Sequence, residues 1–169
     1  MIVTMDFRIL DLIQRKMKCR ILDYIMPKIS MAGNFGIVWI LSAVLFWASN
    51  KYEDAGERII CGLVLGVIFG NLLLKHIFSR PRPFQIDQTR ELIIRAPKDY
   101  SFPSGHTLSS VISACILVHT SGMFGMIAAV LCLMILFSRM YLYVHYPSDI
   151  AGGIVLGIII AEVVLKLSI

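Results

Sequence analysis

The sequence predicts an all-α protein: a polytopic membrane bundle of about five transmembrane helices, with an N-terminal amphipathic helix lying at the interface. Two observations carry this. The 169 residues are 57% hydrophobic and only 16% charged, with a mean hydropathy of +0.78, too few charges to coat a soluble chain of that size. The apolar residues also fall into five runs separated by polar stretches, the pattern of a chain whose solvent is lipid. The length allows a single domain over 1–169, with an amphipathic segment at 1–30 and the bundle at 33–167.

Residues 5–26 read as one helix. Leu10, Ile13, Met17, Ile21 and Ile25 recur at spacings of three and four, with most charges on the other face. Such a helix either lies in the membrane interface or packs across the polar end of the bundle, and the pattern fits both. Charges run through residues 1–28 with no continuous apolar core, so this is not a secretory signal, and the first span is expected to direct insertion. The runs are 33–50, 59–75, 104–120, 123–139 and 148–167, each near the short end of what crosses a bilayer. Ser121-Gly122 turns the third run into the fourth as a helical hairpin, and Gly62, Gly66 and Gly70 form a stripe for close helix packing. The segment 76–103 is long, charged and rich in proline, and a connection of that length is usually functional.

The four cysteines show neither zinc spacing nor a disulfide framework. The net charge of +5 suits contact with anionic lipid heads, and the apolar blocks leave no room for a nucleic-acid-binding domain.

Three polar clusters stand at membrane boundaries on one side of the predicted bundle. Lys75 to Pro83 ends the second run, Pro103-Ser104-Gly105-His106 opens the third, and Ser138 to Asp149 joins the fourth to the fifth. Pro103 suits a first helical turn, so the N–H groups of Ser104, Gly105 and His106 form an anion site at a helix start. Asp149, four residues after His145, can bond one ring nitrogen and leave the other free to attack. Arg139 is a forked cation suited to phosphate, with Lys75 and Arg82 beside it. Phosphoryl transfer depends on positioning and charge neutralisation, which cations and backbone N–H groups can supply without a metal.

The pattern K-x6-R-P, P-S-G-H, S-R-x5-H-x3-D, complete in Lys75…Arg82-Pro83, Pro103 to His106 and Ser138-Arg139…His145…Asp149, resembles the three-part signature of the type-2 phosphatidic acid phosphatase family. The resemblance implies a lipid phosphatase. His145 would attack phosphorus to form a phosphohistidine, Asp149 would orient it, and His106 would protonate the leaving oxygen and then activate water. Lys75, Arg82, Arg139, Ser104 and the Gly105 N–H would hold the phosphate oxygens, with no metal or other cofactor. The partners it implies are a lipid phosphate in the bilayer, with undecaprenyl diphosphate first and phosphatidate and phosphatidylglycerophosphate next; a lipid phosphotransferase and a non-catalytic lipid-binding protein are the alternatives. Many bacterial members carry six spans, and the missing initial span leaves packing into a homo-oligomer open.

Other polar residues have plainer readings. Arg80 either touches a lipid headgroup or caps the helix end. His76 and His119 are structural, Glu162 is costly inside a span, and the tyrosines near the motifs default to the interfacial belt. The 84–102 loop is expected to contribute to substrate choice. Thirteen of the 16 Lys and Arg fall on the motif side, against Lys51, Arg58 and Lys166 on the other. That bias predicts a cytoplasmic site, whereas the resemblance implies a cell-membrane protein with its site on the extracytoplasmic face.

Overall fold

The computed structural model describes residues 2–167, and all regular structure among them is helical. The amphipathic N-terminus is not one helix. It forms α1 (Ile2–Met17) and α2 (Arg20–Ala32), with Cys19 extended between them. The break has a polar cause. Gln14 donates to the Tyr141 carbonyl at 2.7 Å, and the Tyr141 hydroxyl donates to Asp23 at 2.7 Å. At the break itself the Cys19 N–H lies 3.4 Å from the same hydroxyl, a partner for a backbone group outside the helical ladder. Leu10 and Ile13 are buried beneath α1, while Met5, Ile9 and Leu12 stay exposed.

A turn over Asn34–Gly36, with Phe35 and Gly36 both left-handed, leads into α3 (Ile37–Trp47). The segments Arg20–Ala32 and Asn34–Trp47 are together long and apolar enough to cross a membrane, bent by 46°. The next rod is α4 (Glu53–Gly66), a π-helical stretch (Val67–Leu74) and α5 (Lys75–Phe78). A short α6 (Pro83–Ile86) follows, then irregular chain to Ser104. The last three helices are α7 (Gly105–Thr120), α8 (Gly122–Tyr141) and α9 (Pro147–Lys166).

Of the five expected spans, three are single stretches of spanning length: Glu53–Ile86, Gly122–Tyr141 and Pro147–Lys166. The first run is half of the bent pair. The run at 104–120 is α7, whose 16 residues cover only about 24 Å, less than a hydrocarbon core. It sits at the centre of the bundle, with Leu108, Ile112 and Ile116 buried among α4, α8 and α9. Outward-facing Leu41, Leu45, Val64, Leu72, Leu133 and Val155 are exposed, as suits helices whose surroundings are hydrocarbon. Glu162 lies on the exposed face of α9 near its C-terminal end.

Small residues let the backbones approach. A Cβ at Gly62 would lie 2.5 Å from the Ile112 side chain, and one at Gly157 2.9 Å from Val111. At Gly56 the neighbours are backbone: a Cβ there would meet the Ala43 carbonyl oxygen and the Trp47 nitrogen of α3, both at 2.5 Å. Backbone atoms cannot rotate away, so Gly56→Ala should cost about 1–3 kcal/mol. Gly122, with nothing within 4 Å of its would-be Cβ, is the control. Thermal unfolding in detergent is expected to show a lowered midpoint for Gly56→Ala and little change for Gly122→Ala.

Candidate active site

The fold brings all three sequence clusters to one end of the bundle. His145 lies in the loop between α8 and α9, where Tyr143, at φ 61°, reverses the chain. Its side chain is 1% exposed. Nδ1 is 3.4 Å from Asp149 Oδ2, and Nε2 is 3.1 Å from Arg82 Nη1. Arginine can only donate, so Nε2 presents its lone pair and Nδ1 carries the proton toward Asp149. The Nδ1 contact is too long and poorly aligned for a full hydrogen bond, as is common before substrate tightens a site. Burial, followed by the charges of Arg82, Arg139 and Lys75, pushes the His145 pKa well below its usual value and keeps the ring neutral, with a lone pair on one nitrogen.

Asp149 sits in the first turn of α9, fully buried. Its Oδ2 accepts the Tyr146 N–H at 2.9 Å and the Ser101 hydroxyl, and its Oδ1 accepts Arg80 Nη1 at 2.6 Å. Arg80, expected at a lipid headgroup or a helix end, is turned inward: Nη2 donates to Asp6 of α1 at 2.8 Å.

Arg82 is held by the chain on both sides of the site. It donates to the carbonyls of Val144 at 2.7 Å and Asp99 at 2.8 Å, and to Asp99 Oδ1 at 2.7 Å. Lys75 pairs with the other Asp99 oxygen. The two cations expected to grip phosphate therefore grip a carboxylate of the 84–102 loop, and they hold the Asp99 pKa well below the usual carboxylate range despite partial burial. Arg139 is buried and donates to Ser30 of α2, while its Nε has no partner.

Gly105 and His106 open α7 and face the cavity, their N–H groups belonging to the turn that lacks intrahelical acceptors. His106 Nε2 lies 2.9 Å from Asn34 Oδ1. Ser104 departs from expectation. Its hydroxyl is fully buried and caps α7, accepting from the Thr107 N–H at 3.4 Å and the Thr107 hydroxyl at 3.0 Å, and its own N–H goes to the Asp149 carbonyl at 3.3 Å. In this arrangement its oxygen caps α7, and it is not among the residues that line the cavity. Asp6, Asn34, Asp99 and Ser101 were not legible as site residues, because each is a lone polar residue whose partner is distant in sequence.

These groups line a cavity of about 1540 Å³ that runs from Lys75, Arg82, Arg139, His106 and His145 to an apolar wall including Met31, Phe35, Ile40, Ile60, Val64 and Val67. Residues 94–100 form part of its rim. Among the described residues, no three His, Cys, Asp or Glu side chains gather as a metal-binding group, and the charged lining is mostly cationic: Lys75, Arg82 and Arg139 beside the histidines, Lys28, Arg95 and Lys98 further out, and Asp99 as the carboxylate among them. The arrangement can hold an anionic head at one end and an apolar tail at the other.

Asp99 is the internal competitor for that anion. Its side chain is 53% exposed, so an outward swing is open to it once an incoming anion replaces it on Lys75 and Arg82. Asp99→Asn is expected to tighten inorganic phosphate binding about tenfold, roughly 1.4 kcal/mol, by calorimetry on the detergent-solubilised protein. Unchanged or weaker binding would mean that Asp99 supports the cations instead of competing for them.

Known proteins place this arrangement. The chain is 32% identical over 124 residues to an undecaprenyl-diphosphatase of Sulfolobus acidocaldarius, a match covering 71% of this chain and 58% of that protein. It is 30% identical over 152 residues to undecaprenyl-diphosphatase BcrC of Bacillus subtilis, covering 88% of this chain and 76% of that one. Among solved structures, Aquifex aeolicus LpxE superposes with a TM-score of 0.85 at 24% identity, covering 96% of both chains. A PAP2-type phosphatidylglycerolphosphate phosphatase from Bacillus subtilis superposes at 0.77 and 24% identity, covering 96% of this chain and 84% of that one. Residues 57–168, which hold the cations, both histidines and Asp149, match the PAP2 superfamily, and the chain belongs to that family.

Proposed function

We propose that this protein hydrolyses the phosphate or diphosphate of a membrane lipid through a phosphohistidine at His145. The observation that carries the reading is the placement of the bare His145 Nε2 beside Arg82, on the wall of a cavity that is cationic at one end and apolar at the other. The Nε2 lone pair attacks phosphorus while the bond to the leaving oxygen breaks. His106 gives that oxygen a proton. His106 then takes a proton from water, the water oxygen attacks phosphorus, and the P–N bond breaks to free phosphate and neutral His145. Lys75, Arg82, Arg139 and the N–H groups of Gly105 and His106 neutralise the equatorial oxygens throughout. Asp149 steadies the imidazolium formed midway.

Undecaprenyl diphosphate is the substrate we put first, because two relatives with that printed activity match most of this chain. The relatives also include a decaprenylphosphoryl-5-phosphoribose phosphatase of Mycobacterium tuberculosis and phosphatidylglycerophosphatase B of Bacillus subtilis. The long apolar wall suits a polyprenyl tail, and the 94–100 rim is where head-group choice would be exercised.

The test is inorganic phosphate release by the purified protein with EDTA present, from undecaprenyl diphosphate, phosphatidate and phosphatidylglycerophosphate. Release is expected to survive EDTA. It should fall on the order of 10⁴-fold or more in His145→Ala and about 10²–10⁴-fold in His106→Ala. Release that EDTA abolishes, or that survives in His145→Ala, would overturn the mechanism.

Orientation belongs to the same proposal: the site faces outward from the cell membrane, against the Lys/Arg bias. Protease added to sealed cells is then expected to cut within 87–102. Cleavage only after lysis would place the site in the cytoplasm, where the charge bias puts it.

A further inference from the structure

Asp149 is a carboxylate with no exposed surface, and a buried charge persists only if it is paired and hydrogen-bonded. The motif cations do not supply that pair. Lys75 and Arg82 form their ion pairs with Asp99. Among the described residues, the arginine or lysine that contacts the Asp149 carboxylate is Arg80, through Nη1 on Oδ1 at 2.6 Å. Arg80 in turn is fixed on several sides. The same Nη1 donates to the Ser148 hydroxyl at 2.7 Å, Nη2 donates to Asp6 Oδ2 at 2.8 Å, and the guanidinium lies 4.0 Å over the Tyr146 ring, which makes a T-shaped contact with Phe7 at 5.4 Å between centroids.

Asp6 completes the arrangement. It projects from α1 and is 3% exposed, an expensive location for a carboxylate on a helix with a polar face available. Both oxygens are used. Oδ2 accepts from Arg80 and from the Ser148 hydroxyl at 2.5 Å, and Oδ1 accepts the Ser148 N–H at 3.0 Å. Asp6 thereby caps the first turn of α9, the turn that carries Asp149, and pins Arg80 against it.

We propose that Arg80 and Asp6 are positioning residues for the His145–Asp149 pair, so that α1 is part of the machinery that sets the nucleophile. The proposal rests on the hydrolytic reading above. The charges explain why two residues are needed. Asp6, Arg80 and Asp149 together carry one net negative charge. Phosphorylation of Nε2 with the proton kept on Nδ1 makes the His145 ring cationic, and the cluster then balances it. Removing Asp6 leaves Arg80 to neutralise Asp149 completely, so the imidazolium loses its counter-charge. Removing Arg80 leaves Asp149 without a cation, free to take up a proton or turn away. A lysine cannot replace the planar fork that reaches Asp149, Ser148 and Asp6 at once.

The test compares Arg80→Gln, Arg80→Lys and Asp6→Asn with wild type on the lipid that wild type hydrolyses best. Each variant is expected to lose kcat, about 10²-fold for Arg80→Gln, as for a misplaced catalytic group, with KM within about threefold of wild type. Because the residues act through Asp149, Arg80→Gln added to Asp149→Asn should lower kcat no further than Asp149→Asn alone. Full multiplication of the two losses would overturn the proposal, as would a raised KM with unchanged kcat, the mark of a headgroup contact. A second readout needs no turnover. Ring-nitrogen NMR of the four histidines, with His145 assigned through His145→Gln, is expected to show the Nδ1–H tautomer set by Arg82 in both proteins, with the Nδ1–H signal shifted in Arg80→Gln as its carboxylate neighbour moves. An unchanged Nδ1–H signal would overturn the proposal even if no lipid on the panel were hydrolysed, a result that would itself sink only the hydrolytic reading.

Discussion

The catalytic end of this protein is built around one buried carboxylate. Asp149 joins four parts of the chain. It accepts from Tyr146 on its own helix, from Ser101 in the long loop and from Arg80 after the second membrane stretch, and its carbonyl accepts the Ser104 N–H at the head of α7. His145 lies against the same side chain. In a low-dielectric bundle an unpaired carboxylate is costly, so these segments gain by arriving together. The three motifs are far apart in sequence, and their meeting at one end follows from satisfying this group as much as from helix packing.

The membrane imposes the second constraint. The bundle must satisfy its backbone internally, yet the site needs irregular chain at membrane depth. The π-helical stretch Val67–Leu74 and the left-handed turn at Phe35–Gly36 both border the cavity. The short α7 has its start at the cavity and its flanks covered by α4, α8 and α9. Glycines at 62, 153 and 157 let those neighbours close around it, which keeps the helix start that presents Gly105 and His106 in a fixed place.

Much of this was legible in the sequence. Apolar runs located the helices within a few residues, and the hairpin at Ser121-Gly122 is where the turn residues placed it. The three clusters named His106, His145, Asp149, Lys75, Arg82 and Arg139, and the fold gathers all six. What escaped reading was set by tertiary partners. The break at Lys18–Cys19 depends on Tyr141, more than 100 positions away. Asp6 looks like one charge among several on an amphipathic helix, and only the position of Ser148 and Arg80 shows why it points inward. Arg80 and Ser104 have partners the motif does not state: a motif says which residues are near the chemistry, but not which of them face the substrate and which hold the others in place.

Asp99 shows how the site manages its own charge. Lys75, Arg82 and Arg139 are three buried cations, and like charges held together in a poorly screened region repel strongly. Asp99 answers one of them, leaving a formal excess of two positive charges beside a neutral His145. A phosphoryl group bearing two negative charges is the complement of that excess. Its arrival would relieve repulsion among the arginines and lysine, and that gain is available to offset the displacement of the Asp99 loop. A second, deeper layer of charge, Asp6, Arg80 and Asp149, faces the opposite side of His145 and carries the reverse sign. The imidazole therefore sits between a cationic pocket that draws electron density toward phosphorus's oxygens and an anionic support that stabilises the ring once it becomes positive. Under the proposed mechanism, a neutral histidine at that boundary would attack a dianion without a change in the net charge of the protein's own scaffold.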